Sequence, residues 1–327
     1  MYQELQDNIS LFIKNYEIMK NFFKSKYLPL QISNAVQYTS INKEVDLESL
    51  FEAKNFLKNK ANVFANFHGN LEISLINIIS LKENYEEFYS HVVSVYNLMK
   101  TYKLGKTEYS AIAAIIIADN DYEHAEEHVK SLKDLYMLLK SNFKSSITTL
   151  HLPIAAILVL SGLEKEQLIQ EIVMLYKDLK TKFKESEARC TMACVLSLAK
   201  KCPKEKINII NTIFDMLKQK KHKYSSSYEL AVFAVLALLE DKEEDIVNDI
   251  IETDDQLIKI KGFGNWTLGY EERRKAATAL VILTRLQKYG NKNISEDSSV
   301  EGSSNFDIIS KRSLTVAILL ITASCRK

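Results

Sequence analysis

The chain is poor in the residues that break or cross-link a fold. It has 3 prolines, 8 glycines and 4 cysteines in 327 residues. The cysteines form no CxxC pair, so neither a zinc ribbon nor a disulfide framework is indicated. Alternating strand patterns bounded by turn residues are also absent, and the sequence therefore predicts no β-sheet.

Charge of one sign and long apolar runs are lacking as well. With 43 basic and 42 acidic side chains the net charge is +1, so we expect neither nucleic acid nor a membrane as a partner. The apolar runs at residues 230–239 and 314–325 are shorter than the ~18 residues that a membrane-spanning helix needs. They predict buried helices. The amino-terminal sequence MYQELQDNIS lacks the pattern of a secretory signal, and we expect a cytoplasmic protein.

The common enzyme signatures do not occur. The sequence contains no GxSxG motif, no Walker A loop and no EF-hand pattern. We therefore favour a non-catalytic protein and expect no cofactor, apart from the zinc site considered below.

One string recurs along the chain with a period of about 40 residues. It reads VYNLMKTYKLG, LYMLLKSNFKS, LYKDLKTKFKE and IFDMLKQKKHK, with the aligned lysine at Lys100, Lys140, Lys180 and Lys218. Shorter copies place the lysine at Lys20, Lys58 and Lys259. A second element, rich in small apolar residues, lies between the copies and includes AIAAIIIADND and LPIAAILVLSG.

Each period predicts one helical hairpin. Its first helix (A) is apolar on nearly all sides and should be buried on both faces, whereas its second helix (B) carries one apolar stripe. In one B helix this stripe is formed by Val129, Leu132, Leu135, Tyr136 and Leu139. The lysines in the last turns of the B helices are expected to stabilise the helix dipoles rather than to bind nucleic acid.

Tandem hairpins of about 40 residues are typical of all-α repeat proteins such as the HEAT, armadillo and TPR classes. We expect an open α-α superhelix, or solenoid, with a closed α/α toroid as the alternative. Residues 1–327 are predicted to form a single all-helical repeat domain. Within it, residues 289–306 are polar and rich in Gly and Ser, which predicts a mobile linker before a C-terminal capping helix.

The sequence KGFGNWTLGYEERR, residues 261–274, contains the only tryptophan. Its glycines fit a turn between a B helix and the next A helix, where positive φ is needed. Their spacing differs from the dinucleotide-binding fingerprint and follows no strand. Trp266 either covers the hairpin ends or anchors a partner. Arg273 and Arg274 are candidate binding residues for a carboxylate or phosphate, with ordinary ion pairs as the alternative.

Four motifs of the chain are GFGNWTLGYEERRKAATALV, SSITTLHLPIAAILVLSG, the repeated LYxxLK helix ends and RSLTVAILLITAS. Together they resemble a bacterial family, Domain of Unknown Function 4003, which is found chiefly in low-GC Gram-positive bacteria. The resemblance covers nearly the whole chain. It implies a cytoplasmic protein of unassigned function, and it supplies no catalytic residues that could be transferred to this chain.

The sequence HAEEH matches the metal-binding pattern H-x-x-E-H. His124 and His128 lie one helical turn apart, so both imidazoles could bind zinc with Glu127 as a base. A third ligand would have to come from another element. The alternative is a solvated helix start that Asp119 or Asp121 caps.

Two functions stay open at this point. The favoured one is a non-catalytic helical-repeat interaction module that binds a protein or peptide in a groove lined by successive B helices. The alternative is an enzyme, or a small-molecule- or metal-binding protein, with a site near His124 and His128 or near Trp266.

Overall fold

The computed structural model describes residues 2–24, 28–60, 70–224, 227–264 and 269–296. All regular structure in this part of the chain is helical, which confirms the all-α prediction. The α-helices are α1 Tyr2–Phe23, α2 Leu28–Ser40, α3 Leu47–Asn59, α4 Asn70–Ile79, α5 Tyr85–Thr101, α6 Glu108–Asn120, α7 Ala125–Phe143, α8 Leu152–Leu160, α9 Lys165–Leu179, α10 Ser186–Leu196, α11 Pro203–Gln219, α12 Ser227–Ala234, α13 Glu243–Leu257 and α14 Tyr270–Glu296.

The two kinds of helix that the repeat predicts are both present. In α6, an A helix, every residue from Ser110 to Ala118 is buried. In α7, a B helix, the predicted stripe from Val129 to Leu139 is buried, whereas Met137 on the other side is 50% exposed. Helix α6 is therefore buried on all sides along most of its length, and α7 covers the core with one face.

The helix starts follow local chemistry. Thr107 and Ser110 form a reciprocal capping box at the start of α6, in which each side chain accepts a hydrogen bond from the other residue's backbone N–H. Pro153 lies in the first turn of α8 and Pro203 begins α11, where a missing N–H leaves no helical hydrogen bond broken. Hydroxyl and proline side chains thus lie at the starts of α6, α8 and α11.

The turn before α14 uses glycine in the left-handed region. Gly262 has φ of 102° and Gly269 has φ of 85°, values that a side chain with a Cβ rarely adopts. This agrees with a turn between a B helix and an A helix. Residues 265–268, between these glycines, lie outside the described part of the chain.

Contacts divide the described residues into two compact units. Unit 1 contains those within residues 1–9, 139–147 and 163–319, and unit 2 contains those within residues 10–138 and 148–162. In unit 1 the A helices pack in the order α10, α12, α14, and the B helices in the order α9, α11, α13. In unit 2, α6 packs against α5 and α8, and α4 packs against α2, α3 and α5.

The apolar run at residues 230–239 forms α12 and the 3-10 turn that follows it. Its residues from Val232 to Ala237 have no exposed surface, so the run is core, as predicted. Among the helices of the described residues, none is long and apolar enough to cross a membrane. The second apolar run, residues 314–325, lies outside that part.

Helix α14 corrects one boundary. It continues to Glu296 and so enters the segment 289–306 that the sequence predicts as a linker. The composition there is polar, but a helix that has already formed can extend through polar residues because each added residue contributes one hydrogen bond. The rest of the predicted linker and the predicted capping helix lie outside the described residues.

Candidate functional site

The loop between α6 and α7 brings two imidazoles onto one carboxylate. Asp121 follows α6; its Oδ1 lies 2.9 Å from His124 Nδ1, and its Oδ2 lies 2.8 Å from His128 Nε2. The backbone N–H of His124 also donates to Asp121 Oδ1, at 3.4 Å. Asp121 thus supports the start of α7 with its side chain, which is the capping role that the sequence predicts.

These hydrogen bonds change the ionisation of the groups. The bonds from His128 and His124 lower the pKa of Asp121, and the bond to Asp121 raises the pKa of His124. The side chain of His124 is 58% exposed. It can therefore take up a proton from solvent and hold it beside the carboxylate.

The predicted metal ligands come together only in part. His124 and His128 share Asp121, whereas Glu127 is exposed and is not the carboxylate that contacts their rings. In the part of the chain that the structure describes, no group of three or more His, Cys, Asp or Glu side chains could hold a metal ion. Zinc binding by these residues stays a prediction, and it would require both imidazoles to exchange their hydrogen bonds to Asp121 for coordination.

Arg273 is buried in unit 1. Its Nε donates to Asp254 Oδ1 at 2.8 Å, its Nη2 to Asp254 Oδ2 at 3.3 Å, and its Nη1 to the carbonyl of Phe263 at 3.0 Å. The Asp254 carboxylate also lies 3.6 Å from His222 Nδ1. The guanidinium therefore holds the start of α14 to α13 and to the turn between them. Arg273 thus forms an ion pair within the chain, which was the alternative to ligand binding, and this pair is buried rather than exposed.

Arg274 is also engaged within the unit. Its guanidinium carbon lies 4.7 Å from the ring centre of Tyr270, a distance suited to a cation–π contact. Its Nη1 donates to the carbonyl of Lys223 and lies 3.8 Å from the carboxylate of Glu229. The side chain is 12% exposed. Trp266, the third predicted binding residue, lies outside the described residues.

An open groove of about 540 Å³ lies along the exposed side of α13 in unit 1. One wall comes from Lys220, the residue after α11, whose Nζ donates to Asn248 Oδ1 at 2.6 Å. The other lining residues repeat at intervals of three and four and so form one stripe of α13 and its C-terminal end. The lining residues are Lys220, Asn248, Ile251, Glu252, Asp255, Gln256 and Lys259.

Comparison with known proteins gives the family. The model of a family described as "Protein of unknown function (DUF4003)" matches residues 15–303. The chain belongs to this family. The resemblance recognised in the sequence motifs is thereby confirmed. No curated protein and no solved structure matches the chain. The roles of residues in this DUF4003 protein are therefore inferred from their geometry.

One cluster of buried polar side chains in this DUF4003 protein was not predicted from the sequence. Helix α2 buries Ser33, Asn34 and Gln37, and α4 buries Asn77. The signal available in the sequence was composition, because α2 reads LPLQISNAVQYTS whereas α6 and α8 have Ala, Ile or Leu at nearly all of their buried positions. Buried polar side chains in a helix are normally hydrogen-bonded, either to other groups of the chain or to a bound molecule.

Proposed function

We propose that this protein is a non-catalytic helical-repeat module that binds a polypeptide segment in the groove along α13. The observation that carries the proposal is the groove itself, because it follows a B helix and is walled by the end of the preceding B helix. We place the module in the cytoplasm.

Recurring contacts support the repeat. Lys182 follows α9 and reaches α11, where its Nζ lies 2.7 Å from Asp215 and 3.2 Å from the carbonyl of Asn211. Lys220 follows α11 and reaches Asn248 of α13 in the same way. The same kind of lysine contact between successive B helices thus occurs twice in unit 1, as expected for tandem hairpins. An open superhelix and a closed α/α toroid are the two forms of this proposal.

The shape and charge of the groove favour a polypeptide occupant. From Asn248 to Lys259 the stripe rises ~16 Å at 1.5 Å per residue, which suits about five residues of extended chain. Glu252 and Asp255 place two carboxylates in the middle of the stripe, and Ile251 adds apolar surface. The partner that fits is a segment with a basic side chain opposite the carboxylates and an acidic one opposite Lys259.

Site-specific photo-crosslinking in the native cells tests this proposal. A photoreactive amino acid at Asp255 should crosslink one polypeptide, while the same amino acid at Glu244, exposed in the first turn of α13 and outside the groove, should not. The crosslinked polypeptide is then identified and purified, and its Kd is measured. Asp255→Lys should weaken binding about tenfold, or 1.4 kcal/mol, and Glu244→Lys should leave it unchanged. Equal crosslinking at both positions, or a Kd that Asp255→Lys does not change, would contradict the proposal.

The alternative is an enzyme or a small-molecule- or metal-binding protein with its site near His124 and His128 or near Trp266. The observation in its favour is the convergence of two imidazoles on Asp121. Titration calorimetry with zinc chloride tests it. Stoichiometric zinc binding that is lost in His128→Ala would support the alternative. Absence of zinc binding in the unaltered protein would rule out the metal site.

A further inference from the structure

Unit 2 contains a set of buried, uncharged polar side chains that we call the neutral cluster: Ser33, Asn34 and Gln37 of α2 and Asn77 of α4. Asn34 and Asn77 have no exposed surface, Ser33 is 1% exposed and Gln37 is 5% exposed. The three residues of α2 are spaced by three and four positions and therefore share one face of the helix. Asn77 meets this face from α4.

Most polar atoms of the neutral cluster have no hydrogen-bond partner among the described residues. Gln37 Oε1 accepts from Asn77 Nδ2 at 3.0 Å. The atoms without a hydrogen bond are Ser33 Oγ, Asn34 Nδ2, Asn34 Oδ1, Gln37 Nε2 and Asn77 Oδ1. Each such buried group costs about 1–3 kcal/mol of desolvation, and buried groups of this kind are few in native proteins.

Exchanging the amide oxygen and nitrogen does not remove the deficit. If both Gln37 and Asn77 were turned, the hydrogen bond between them would reverse and the same number of atoms would stay unpartnered. Asn34 makes no hydrogen bond through either amide atom, so turning it changes nothing. The lack of hydrogen bonds therefore follows from the positions of the side chains and not from the assignment of amide oxygen and nitrogen.

Other buried polar groups close to the neutral cluster do have partners. Elsewhere in the same region polar groups are paired: Tyr38 Oη and Ser80 Oγ lie 2.8 Å apart, and Thr39 Oγ1 donates to the carbonyl of Ala35 at 2.9 Å. Asn15 of α1 uses both its amide atoms, with Lys43 and Val45 among its partners. The fold of unit 2 is therefore able to satisfy buried amides, and the neutral cluster is an exception.

We infer that the neutral cluster is a binding site for a small uncharged molecule that carries both hydrogen-bond donors and acceptors, such as a carboxamide or a polyol. The unpartnered atoms include amide donors on Asn34 and Gln37, amide acceptors on Asn34 and Asn77, and a hydroxyl on Ser33 that can do both. A charged ligand does not fit, because among the described residues unit 2 buries no Asp, Glu, Lys or Arg to balance it. The site is independent of the groove along α13.

Analysis of the protein isolated from its native cells tests this site. Native mass spectrometry should show one small molecule per chain, and denaturation should release a neutral compound in equal amount. Asn34→Leu should lose the molecule, whereas Asn97→Leu, the same change at an exposed position of α5, should keep it. Should Asn34→Leu fail to fold, Ser33→Ala removes one hydroxyl without adding volume and should reduce the amount bound.

A second readout uses defined probes. Protein freed of small molecules by unfolding and refolding should gain thermal stability in acetamide or glycerol relative to Asn34→Leu under the same conditions. A mass that corresponds to the bare chain or to waters only, together with equal probe responses in the two proteins, would overturn the inference. Retention of the molecule by both Asn34→Leu and Ser33→Ala would overturn it as well.

Discussion

Units 1 and 2 differ in whether they bury charged side chains. Among the described residues, every buried Asp, Glu, Lys and Arg belongs to unit 1. These residues are Arg189, Lys206, Glu229, Asp254, Glu272, Arg273, Lys275 and Arg285. Each lies against an opposite charge or, for Arg189, against backbone carbonyls and a tyrosine hydroxyl. Among the described residues, the buried polar side chains of unit 2 are amides, hydroxyls and the imidazole of His151, and the atoms of the neutral cluster include several without a hydrogen bond.

The difference follows from what each kind of group costs when it is left unpaired. An isolated buried charge costs several kcal/mol even after relaxation, so a fold that buries charges must supply their partners itself. An unpaired amide atom costs about 1–3 kcal/mol, which a stable domain can tolerate until a ligand arrives. The ion pairs within unit 1 therefore indicate a structural role for its buried charges. The missing hydrogen bonds of the neutral cluster support our proposal that it binds a ligand.

The largest expected effect comes from breaking a buried pair in unit 1. Arg273→Met leaves the Asp254 carboxylate buried beside only His222 and should lower the free energy of unfolding by about 3–5 kcal/mol, as measured by urea denaturation. The double variant Arg273→Met/Asp254→Leu removes both charges and should recover most of that loss. If the single variant lost less than the double one, the pairing account of unit 1 would be wrong.

A smaller effect should separate two buried asparagines of unit 2. Asn15→Leu removes hydrogen bonds to Lys43 and Val45 and should lower the free energy of unfolding by about 1–3 kcal/mol. Asn34→Leu removes an amide without partners, so in refolded, ligand-free protein it should be neutral or stabilising. The comparison between the units would fail if Asn34→Leu destabilised the ligand-free protein as much as Asn15→Leu does.

An exposed ion pair gives the reference for the buried ones. Lys14 and Glu44 are in contact at 2.5 Å, with side chains 60% and 48% exposed. Lys14→Met should change the free energy of unfolding by about 0–1 kcal/mol, because solvent screens an exposed pair. A loss as large as that of Arg273→Met would mean that burial does not set the strength of these pairs.

The smallest effect concerns the protonation of His124 beside Asp121. Asp121→Asn removes the hydrogen-bonded carboxylate and should lower the pKa of His124 toward its ordinary value of 6.5, as followed by NMR of the imidazole ring. The raised pKa means that the contact stabilises the fold at pH values below the unfolded pKa of histidine and that this stabilisation is lost as the pH rises through the folded pKa. The lowered pKa of Asp121 sets the acid limit, since protonation of that carboxylate removes the contact. Glu127→Gln, at the same helix start, should change the pKa of His124 less than Asp121→Asn does.

Local patterns in the sequence predicted local structure well. Period, apolar stripes and turn residues gave the helices and the buried A-helix residues such as those of α6. The assignment of Asp121 to a helix start rather than to chemistry also follows from residues that are close in sequence. Composition did not predict the end of α14, where a polar helix and a linker have similar sequences.

Partners distant in sequence could not be read in the same way. Arg273 pairs with Asp254, and Arg274 contacts Lys223 and Glu229, and no spacing rule connects these positions. The neutral cluster depends on the meeting of α2 with α4, so its unpaired atoms become visible only when the two helices are packed. Whether a polar residue is satisfied is a tertiary property, which a helical period does not encode.

The most direct test of the account is a crystal structure of the protein isolated from its native cells, at a resolution that separates individual waters. We predict continuous density larger than water within hydrogen-bonding distance of Asn34, Gln37 and Asn77, and fully paired side chains at Arg273 and Asp254. Density for separate waters alone at the neutral cluster, or direct pairing of Asn34 within the chain, would contradict it.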